Sequence, residues 1–461
     1  MRAPRATRSG RRPARLLLWA WLGLITASAQ AAVPPGADRI EERTLDNGLQ
    51  IIVWPDDDIP NIAWYHYVRA GARNERPGIT GISHFFEHLM FKASKGLPPG
   101  EFDRIMEAAG GVNNAYTNSD VTVYMDWFPR AALETIFRIE SDRFARLEFE
   151  PDLVESERQV VLSERRSSVD DQNEWFLAEQ VQATAFTAHP YQNPVIGWPS
   201  DIERWEIADL EHYHRLYYAP NNTTLVIVGD VEPAEVFALA ERYFGPTPAQ
   251  PPPPAVRTVE PPQTGQRRVA VNRPGLTPYL QVAFHTTEKR HPDTLALRML
   301  VDILATGDSS RLHQRLIEQD RTAVALTGIV DAEFDPGMSW FLLTLPADGS
   351  TAVAEATLFE ELARIATDGV DEAELAKVRN IQLANYWRAL ATIDGKAELL
   401  GDHAVFHGDW REALTLPERI EAVTPEQIRR IAREYFRVEN SSVGVVVPIA
   451  GSAPDADGDG P

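Results

Sequence analysis

Residues 81–91, read as Gly-Ile-Ser-His-Phe-Phe-Glu-His-Leu-Met-Phe, set three ionisable groups, His84, Glu87 and His88, among bulky apolar neighbours. The apolar spacing predicts a helix over 78–92, which stacks His84 and His88 one turn apart on one face. Two imidazoles so placed can converge on one cation. Glu87 borders the same face and can reach a metal-bound water without ligating the ion. Zinc held this way brings the pKa of its water towards about 7 and polarises a carbonyl. A carboxylate beside it can then carry the proton to a leaving amine. The order His-x-x-Glu-His is the inverted zinc-protease motif. The competing reading, two core histidines with a buried glutamate, needs a cation for Glu87. Between 73 and 91 the only Lys or Arg residues are Arg73 and Arg76, both ahead of the helix.

A catalytic zinc takes three protein ligands and keeps one position open. The chain has no cysteine, so any metal must be held by histidine and carboxylates, with neither disulfide nor thiolate available. The segment 150–169, predicted as a helix over 151–168, is the best donor of the third ligand. Glu157 and Glu164 are seven apart and share a helix face; Glu155 does not share it. The residues alone leave a second reading open, a solvated acidic face paired to Arg158, Arg165 and Arg166.

The other elements follow from local pattern. Residues 43–57 read as strand, Asn-Gly turn, strand, and 61–73 and 122–128 as further strands. Helices and strands mix throughout, so the fold class is α+β. Residues 246–265 carry eight prolines and form a stiff linker between halves of similar size. The halves end alike, in a helix, a polar turn with Asn221 or Asn440, and an apolar strand, which suggests a tandem duplication. The expected organisation is a signal peptide at 1–31, a zinc-binding domain at 40–245, the linker at 246–265, a homologous domain at 266–449 and a disordered tail at 450–461.

Composition bounds the function class. The formal charge of −22 argues against nucleic acid as a partner. Residues 1–31 hold six arginines and no acid, with an apolar run of 14 and an Ala-Gln-Ala site, so cleavage after Ala31 exports the chain to the periplasm or beyond the cell. Removing those six cations from −22 leaves a mature charge near −28. The run is short against the roughly 20 residues of a membrane span, and no span remains after cleavage. Arg11-Arg12 only weakly matches a twin-arginine signal. Three further features carry bland readings. His189 is a loop histidine. His403 and His407 form another i, i+4 pair but have Phe406 where an acid is required, and read as a helix end. The terminal Asp-Ala-Asp-Gly-Asp-Gly lacks the closing glutamate of a calcium loop.

The stretch 81–94 resembles the active-site helix of the pitrilysin/insulinase-type zinc peptidases, the inverzincins, and is most similar to their short, processing-peptidase-like branch. In that family the third ligand is a glutamate in a motif like Glu-Arg-x-Val-Val-x-x-Glu. Here Glu-Arg-Gln-Val-Val-Leu-Ser-Glu runs from Glu157 to Glu164, so the resemblance makes Glu164 the ligand and Glu157 a carboxylate behind the site. Residues 110–124 resemble the family's substrate-binding edge strand, with Asn114 and Ala115 at its motif; a peptide adds there as an extra strand. The resemblance implies two homologous halves, each an antiparallel sheet with helices on one face, one Zn2+ per chain, and hydrolysis of peptides or unfolded segments. One position departs from the pattern. Complete members carry, in the second half, an Arg and seven residues later a Tyr that bind substrate and stabilise the oxyanion, a contribution of several kcal/mol. Ile317 and Val324 stand there, and neither donates a hydrogen bond; Arg311, Arg315 and Arg321 have the wrong spacing to replace them. The expectation is the metal-bearing subunit of a heterodimer whose second family member supplies Arg and Tyr. The alternatives are a homodimer of self-sufficient subunits and a non-catalytic, structural or peptide-binding subunit.

Overall fold

The computed structural model describes residues 34–449. The expected signal peptide and the expected disordered tail lie outside the described residues. No helix among the described residues is long and apolar enough to cross a membrane.

Among the described residues eleven strands form two sheets. The first orders β1 (Glu41–Thr44), β2 (Gln50–Pro55), β6 (Thr223–Gly229), β3 (Asn61–Val68), β5 (Thr122–Pro129) and β4 (Val112–Thr117). The second orders β7 (Arg267–Pro274), β11 (Ser441–Ile449), β8 (Tyr279–His285), β10 (Met338–Thr344) and β9 (Ala325–Val330). Deleting β1 leaves two sheets with the same order and directions, so β4 and β9 are equivalent edge strands. Fourteen helices accompany them. In the first half these are α1 (Ile82–Leu89), α2 (Glu101–Ala108), α3 (Leu133–Ala145), α4 (Pro151–Arg165), α5 (Asn173–Ala185), α6 (Pro199–Ile202), α7 (Ile207–Tyr217) and α8 (Pro233–Tyr243). The second half contributes α9 (Thr294–Ala305), α10 (Thr351–Asp368), α11 (Glu372–Ala389), α12 (Ile393–Asp402), α13 (Leu416–Glu421) and α14 (Pro425–Tyr435).

The α+β class holds, but the expectation of purely antiparallel sheets is corrected: β2 pairs β6 in parallel, and β7 pairs β11 in parallel. Hairpin signals report only strands adjacent in sequence. Each parallel partner returns from the far end of its half, beyond the reach of a local pattern. The halves are equivalent one residue away from the expected register. Asn222 Nδ2 donates to the carbonyls of Arg69 and Tyr217, as Asn440 Nδ2 does to those of His285 and Tyr435. Asn221 instead pairs with Gln250 at both its amide atoms.

Helices on a single face describe only half of the packing. The first core buries Ile51, Val53, Ile62 and Trp64 under α1, α3, α7 and α8 of the same half. The other face of that sheet, with Trp54, Tyr65 and Val226, packs on α12 of the second half. Reciprocally, α5 of the first half lies on β11 and β8 of the second sheet through Leu177 and Val181. A Cβ on Gly444 of β11 would stand 2.2 Å from Val181 Cγ2, so glycine is what lets the helix approach. Each half thus closes the exposed sheet face of the other. Residues 248–264 have neither helix nor strand; within them Glu260 accepts the backbone N–H groups of Thr187, Ala188 and His189 at 2.9–3.0 Å.

Candidate metal centre

The chemistry-bearing helix is shorter than the expected 78–92. It spans Ile82–Leu89, because Gly81 enters it in a left-handed conformation with φ 83°. Gly81 meets Gly197 (φ 88°) backbone to backbone, and a Cβ on either would sit 2.4 Å from a carbonyl oxygen of the other strand of chain. The helix start is tied down by Glu75. Its buried carboxylate accepts the N–H of Gly81 at 2.7 Å and the N–H and hydroxyl of Ser83 at 2.8 and 2.7 Å. Burial pushes that carboxyl up to about 8, against the pull of these hydrogen bonds. Ile82, Phe85, Phe86 and Leu89 bury the opposite face in the first core. Each such side chain contributes roughly 1.5–3 kcal/mol, so the helix is anchored firmly while His84, Glu87 and His88 stay half-buried on its open side.

Helix α4 runs Pro151–Arg165 and passes into a π turn over Arg166–Asp170, three residues short of the expected end as a regular helix. It packs against α1 and brings Glu164 to the histidines. Glu164 Oε2 lies 3.3 Å from His88 Nε2, and Glu164 Oε1 lies 3.8 Å from His84 Nε2. One ligand atom from each of the three falls within 4.8 Å of the other two. Tetrahedral ligands at zinc distances stand about 3.3 Å apart, so the donor set is near that size already. Two imidazoles and one carboxylate suit zinc chemically. His88 Nδ1 donates to Glu157 Oε1 at 2.8 Å, so in the neutral ring that can ligate a metal Nε2 is the lone-pair nitrogen. Lys92 Nζ holds the other Glu157 oxygen at 2.7 Å. Burial pulls His88 down, but the hydrogen bonds from Glu157 and Glu164 outweigh it and raise the imidazole to about 9. Burial and the neighbouring His88 lower His84 to about 4. His84 Nδ1 is buried without a hydrogen-bond partner among the described residues.

Glu87 does not join the ligand atoms. Thr117 Oγ1 donates to Glu87 Oε2 at 2.7 Å. Burial raises the Glu87 carboxyl, and this hydrogen bond opposes the rise. Thr117 ends β4, the outer strand of the first sheet, where Val112 is 62% exposed. Asn114 and Ala115 lie in the middle of that edge; Asn114 Oδ1 accepts the Ala115 N–H at 2.9 Å. A cavity of about 550 Å³ opens beside His84, Glu164 and Thr117 and is closed across by Ile329, Trp340 and Leu342 of the second sheet.

The residues at the departing positions lie elsewhere. Ile317, in a π turn, packs on the second core, and Val324 is 59% exposed just before β9. Arg311 is held bidentately by Glu374, and Arg315 donates from Nε alone to Asp320. Neither these nor Arg321 line the cavity among the described residues. Glu155 is exposed on α4, where it accepts from Gln159 and from the buried Arg158. His189 is a buried turn residue whose Nε2 lies 3.1 Å from Asp335.

Sequence reasoning did not single out Glu75, Thr117, Lys92 or Asp120. Thr117 lay within the quoted edge-strand motif, and its position at the strand end was the available signal. Asp120, in the β4–β5 turn, joins the halves: it accepts from Tyr191 OH at 2.8 Å and Phe334 N–H at 2.7 Å, with Arg73 3.4 Å away. No local pattern points to it.

Residues 62–198 match the family model described as insulinase (peptidase family M16), and residues 204–382 match the one described as the peptidase M16 inactive domain. The chain is 29% identical over 450 residues to the zinc protease PqqE of Helicobacter pylori, covering 94% of this chain and 98% of that one. It is 26% identical over 441 residues to the probable mitochondrial-processing peptidase subunit beta of Schizosaccharomyces pombe, covering 93% and 94% respectively. The crystal structure of a protease from Helicobacter pylori superposes with a TM-score of 0.86 at 29% identity, over 89% of this chain and 99% of that one. The chain belongs to the insulinase-type, or pitrilysin-type, family of zinc metallopeptidases.

Proposed function

We propose that this chain is a zinc-dependent endopeptidase, exported to the periplasm or beyond, that cleaves peptides or unfolded segments as the metal-bearing subunit of a two-chain enzyme. The observation that carries the reading is the convergence of His84, His88 and Glu164 at ligand spacing with Glu87 on the same helix face but outside the ligand set. His84, His88 and Glu164 would hold one zinc ion, with Glu157 orienting His88. Bound there, zinc supplies an acidified water and polarises the scissile carbonyl. Glu87, steadied by Thr117, accepts the water's proton and delivers it to the leaving amine. The edge of β4 at Asn114 and Ala115 takes the substrate backbone as an added strand. The cavity shared with the second sheet has room for a peptide segment rather than a folded domain.

Ile317 and Val324 support the two-chain arrangement, since neither can stabilise an oxyanion. The same two residues favour the second reading, a structural or peptide-binding subunit. The discriminating experiment measures zinc content and cleavage of a quenched-peptide library by the chain alone and with a second family member encoded beside it, each with Glu87→Gln as control. Cleavage by the pair, lost in Glu87→Gln with zinc retained, is the expected result. Full activity of the chain alone would remove the need for a partner, and zinc without cleavage in either preparation would establish the binding-subunit reading.

A further inference from the structure

His403 and His407, which the zinc site does not use, are both buried in the second half. They lie in the π turn that follows α12, with rings 4.8 Å apart and nearly parallel. Both line a small pocket together with Lys289, Arg298, Gln382, Arg419 and one carboxylate, Asp402. The first turn of α9 completes its wall through Thr294 and Leu295.

The pair is not built for a metal ion. Among the described residues no third ligand joins the two imidazoles at metal-ligand spacing, and Lys289, Arg298 and Arg419 in the lining oppose a cation. Lys289 pairs with Asp402, and Arg419 lies 3.7 Å from Glu412. Arg298 forms no salt bridge among the described residues and acts on Asp402 and Asp331 only at longer range. Of the three cations that line the pocket, Arg298 is the one without a salt-bridge partner among the described residues, so its N–H donors are uncommitted.

The tautomer of His403 is set by its backbone partner, and His407 lies beside a carboxylate. His403 Nδ1–H donates to the Leu399 carbonyl at 2.9 Å, and His407 Nδ1 lies 3.1 Å from Glu412. Burial lowers both rings to about 4. In the neutral ring the Nε2 of His403 is therefore an acceptor, and neither Nε2 has a hydrogen-bond partner among the described residues. A fully deprotonated oxyanion would meet this lone pair with its own. A protonated one can donate to it while its other oxygens accept from arginine and lysine.

We propose that this pocket binds one small protonated oxyanion of the hydrogen-phosphate class, with Arg298, Arg419 and Lys289 as donors and an imidazole Nε2 as the acceptor of its O–H. Sulfate, equal in shape but without a proton at neutral pH, is discriminated against. The space admits a single tetrahedral group and no nucleotide. The bound ion would join the start of α9 to the end of α12 and the start of α13.

The test titrates inorganic phosphate and sulfate, at matched ionic strength and pH 7.5, into the full chain. Calorimetry and thermal unfolding are read with zinc bound and again after chelation, so that an ion at His84 and His88 is not counted. Expected is saturable phosphate binding that raises the melting temperature, at least tenfold tighter than sulfate, in both forms. Arg298→Gln, at an exposed position, should weaken phosphate about tenfold with the circular dichroism spectrum unchanged. His403→Gln, whose amide can donate to sulfate, should narrow the preference. Equal responses to both ions, or phosphate binding untouched by Arg298→Gln, would overturn the proposal.

Discussion

His88 Nδ1 lies 2.8 Å from Glu157 Oε1, while the other oxygen of the same carboxylate meets Lys92 Nζ at 2.7 Å. One buried glutamate thus fixes the imidazole tautomer and is itself fixed by a cation one helical turn beyond the histidine. Glu157→Gln keeps the shape and removes the charge. Zinc affinity should fall roughly 10- to 100-fold, as read by competition with a chromophoric chelator. Unchanged affinity would reduce Glu157 to a partner of Lys92.

The contact of Gly81 with Gly197 sets where the helix begins. Gly197→Ala places a Cβ 2.4 Å from the Thr80 carbonyl oxygen at a backbone φ of 88°. Left-handed strain and overpacking together should destabilise the chain by about 2–5 kcal/mol, measured by urea unfolding. A loss below 0.5 kcal/mol would mean that the two segments separate freely.

Asp120→Asn removes the charge that Arg73 faces between the halves. Arg73 keeps Asp335 as a partner, but Tyr191 OH meets one Asp120 oxygen and Phe334 N–H the other, so the single amide oxygen of Asn can accept from only one of them and leaves a buried donor unpaired, at about 1–3 kcal/mol. A destabilisation of about 1–3 kcal/mol is expected, together with earlier protease nicking in 331–337. Calorimetry and limited proteolysis check the two parts separately.

Glu260 supplies a pH dependence. Burial alone would raise its pKa, but hydrogen bonds from 187–189 outweigh it and hold the carboxyl at about 2. The folded value is below the unfolded one, so the contribution to stability is complete above about 4.5 and is lost as pH falls towards 2. Glu260→Gln should therefore be less stable than the parent at pH 7, and the two should converge across that acid window. A gap of constant size from pH 7 to 2 would show that Glu260 acts without its charge.

Much of the fold was legible for a plain reason. The hairpin at Asn47-Gly48, strand β3 and helices α1 and α4 are set by spacing and turn chemistry within a few residues. Their ends were less legible. The start of α1 is fixed by Gly197 and Glu75, neither of which belongs to the helix. The parallel pairs β2–β6 and β7–β11, and the exchange of α5 and α12 between sheet faces, join segments far apart in sequence. The repeat itself was visible, but its register, Asn222 with Asn440, appeared only through matching hydrogen bonds to backbone carbonyls.

The spacing of His84 and His88 already dictates two imidazoles on one helix face with Glu87 beside them, because a helix repeats every 3.6 residues wherever it sits. Composition likewise dictates that any metal is held by nitrogen and oxygen alone. Whether a carboxylate meets those imidazoles depends on α4 packing against α1, which is a matter of core shape. So is the second wall of the cavity, contributed by Ile329, Trp340 and Leu342 from the opposite sheet. Local chemistry is written in residues a few positions apart, whereas a site built from both halves exists only once burial has brought distant segments together.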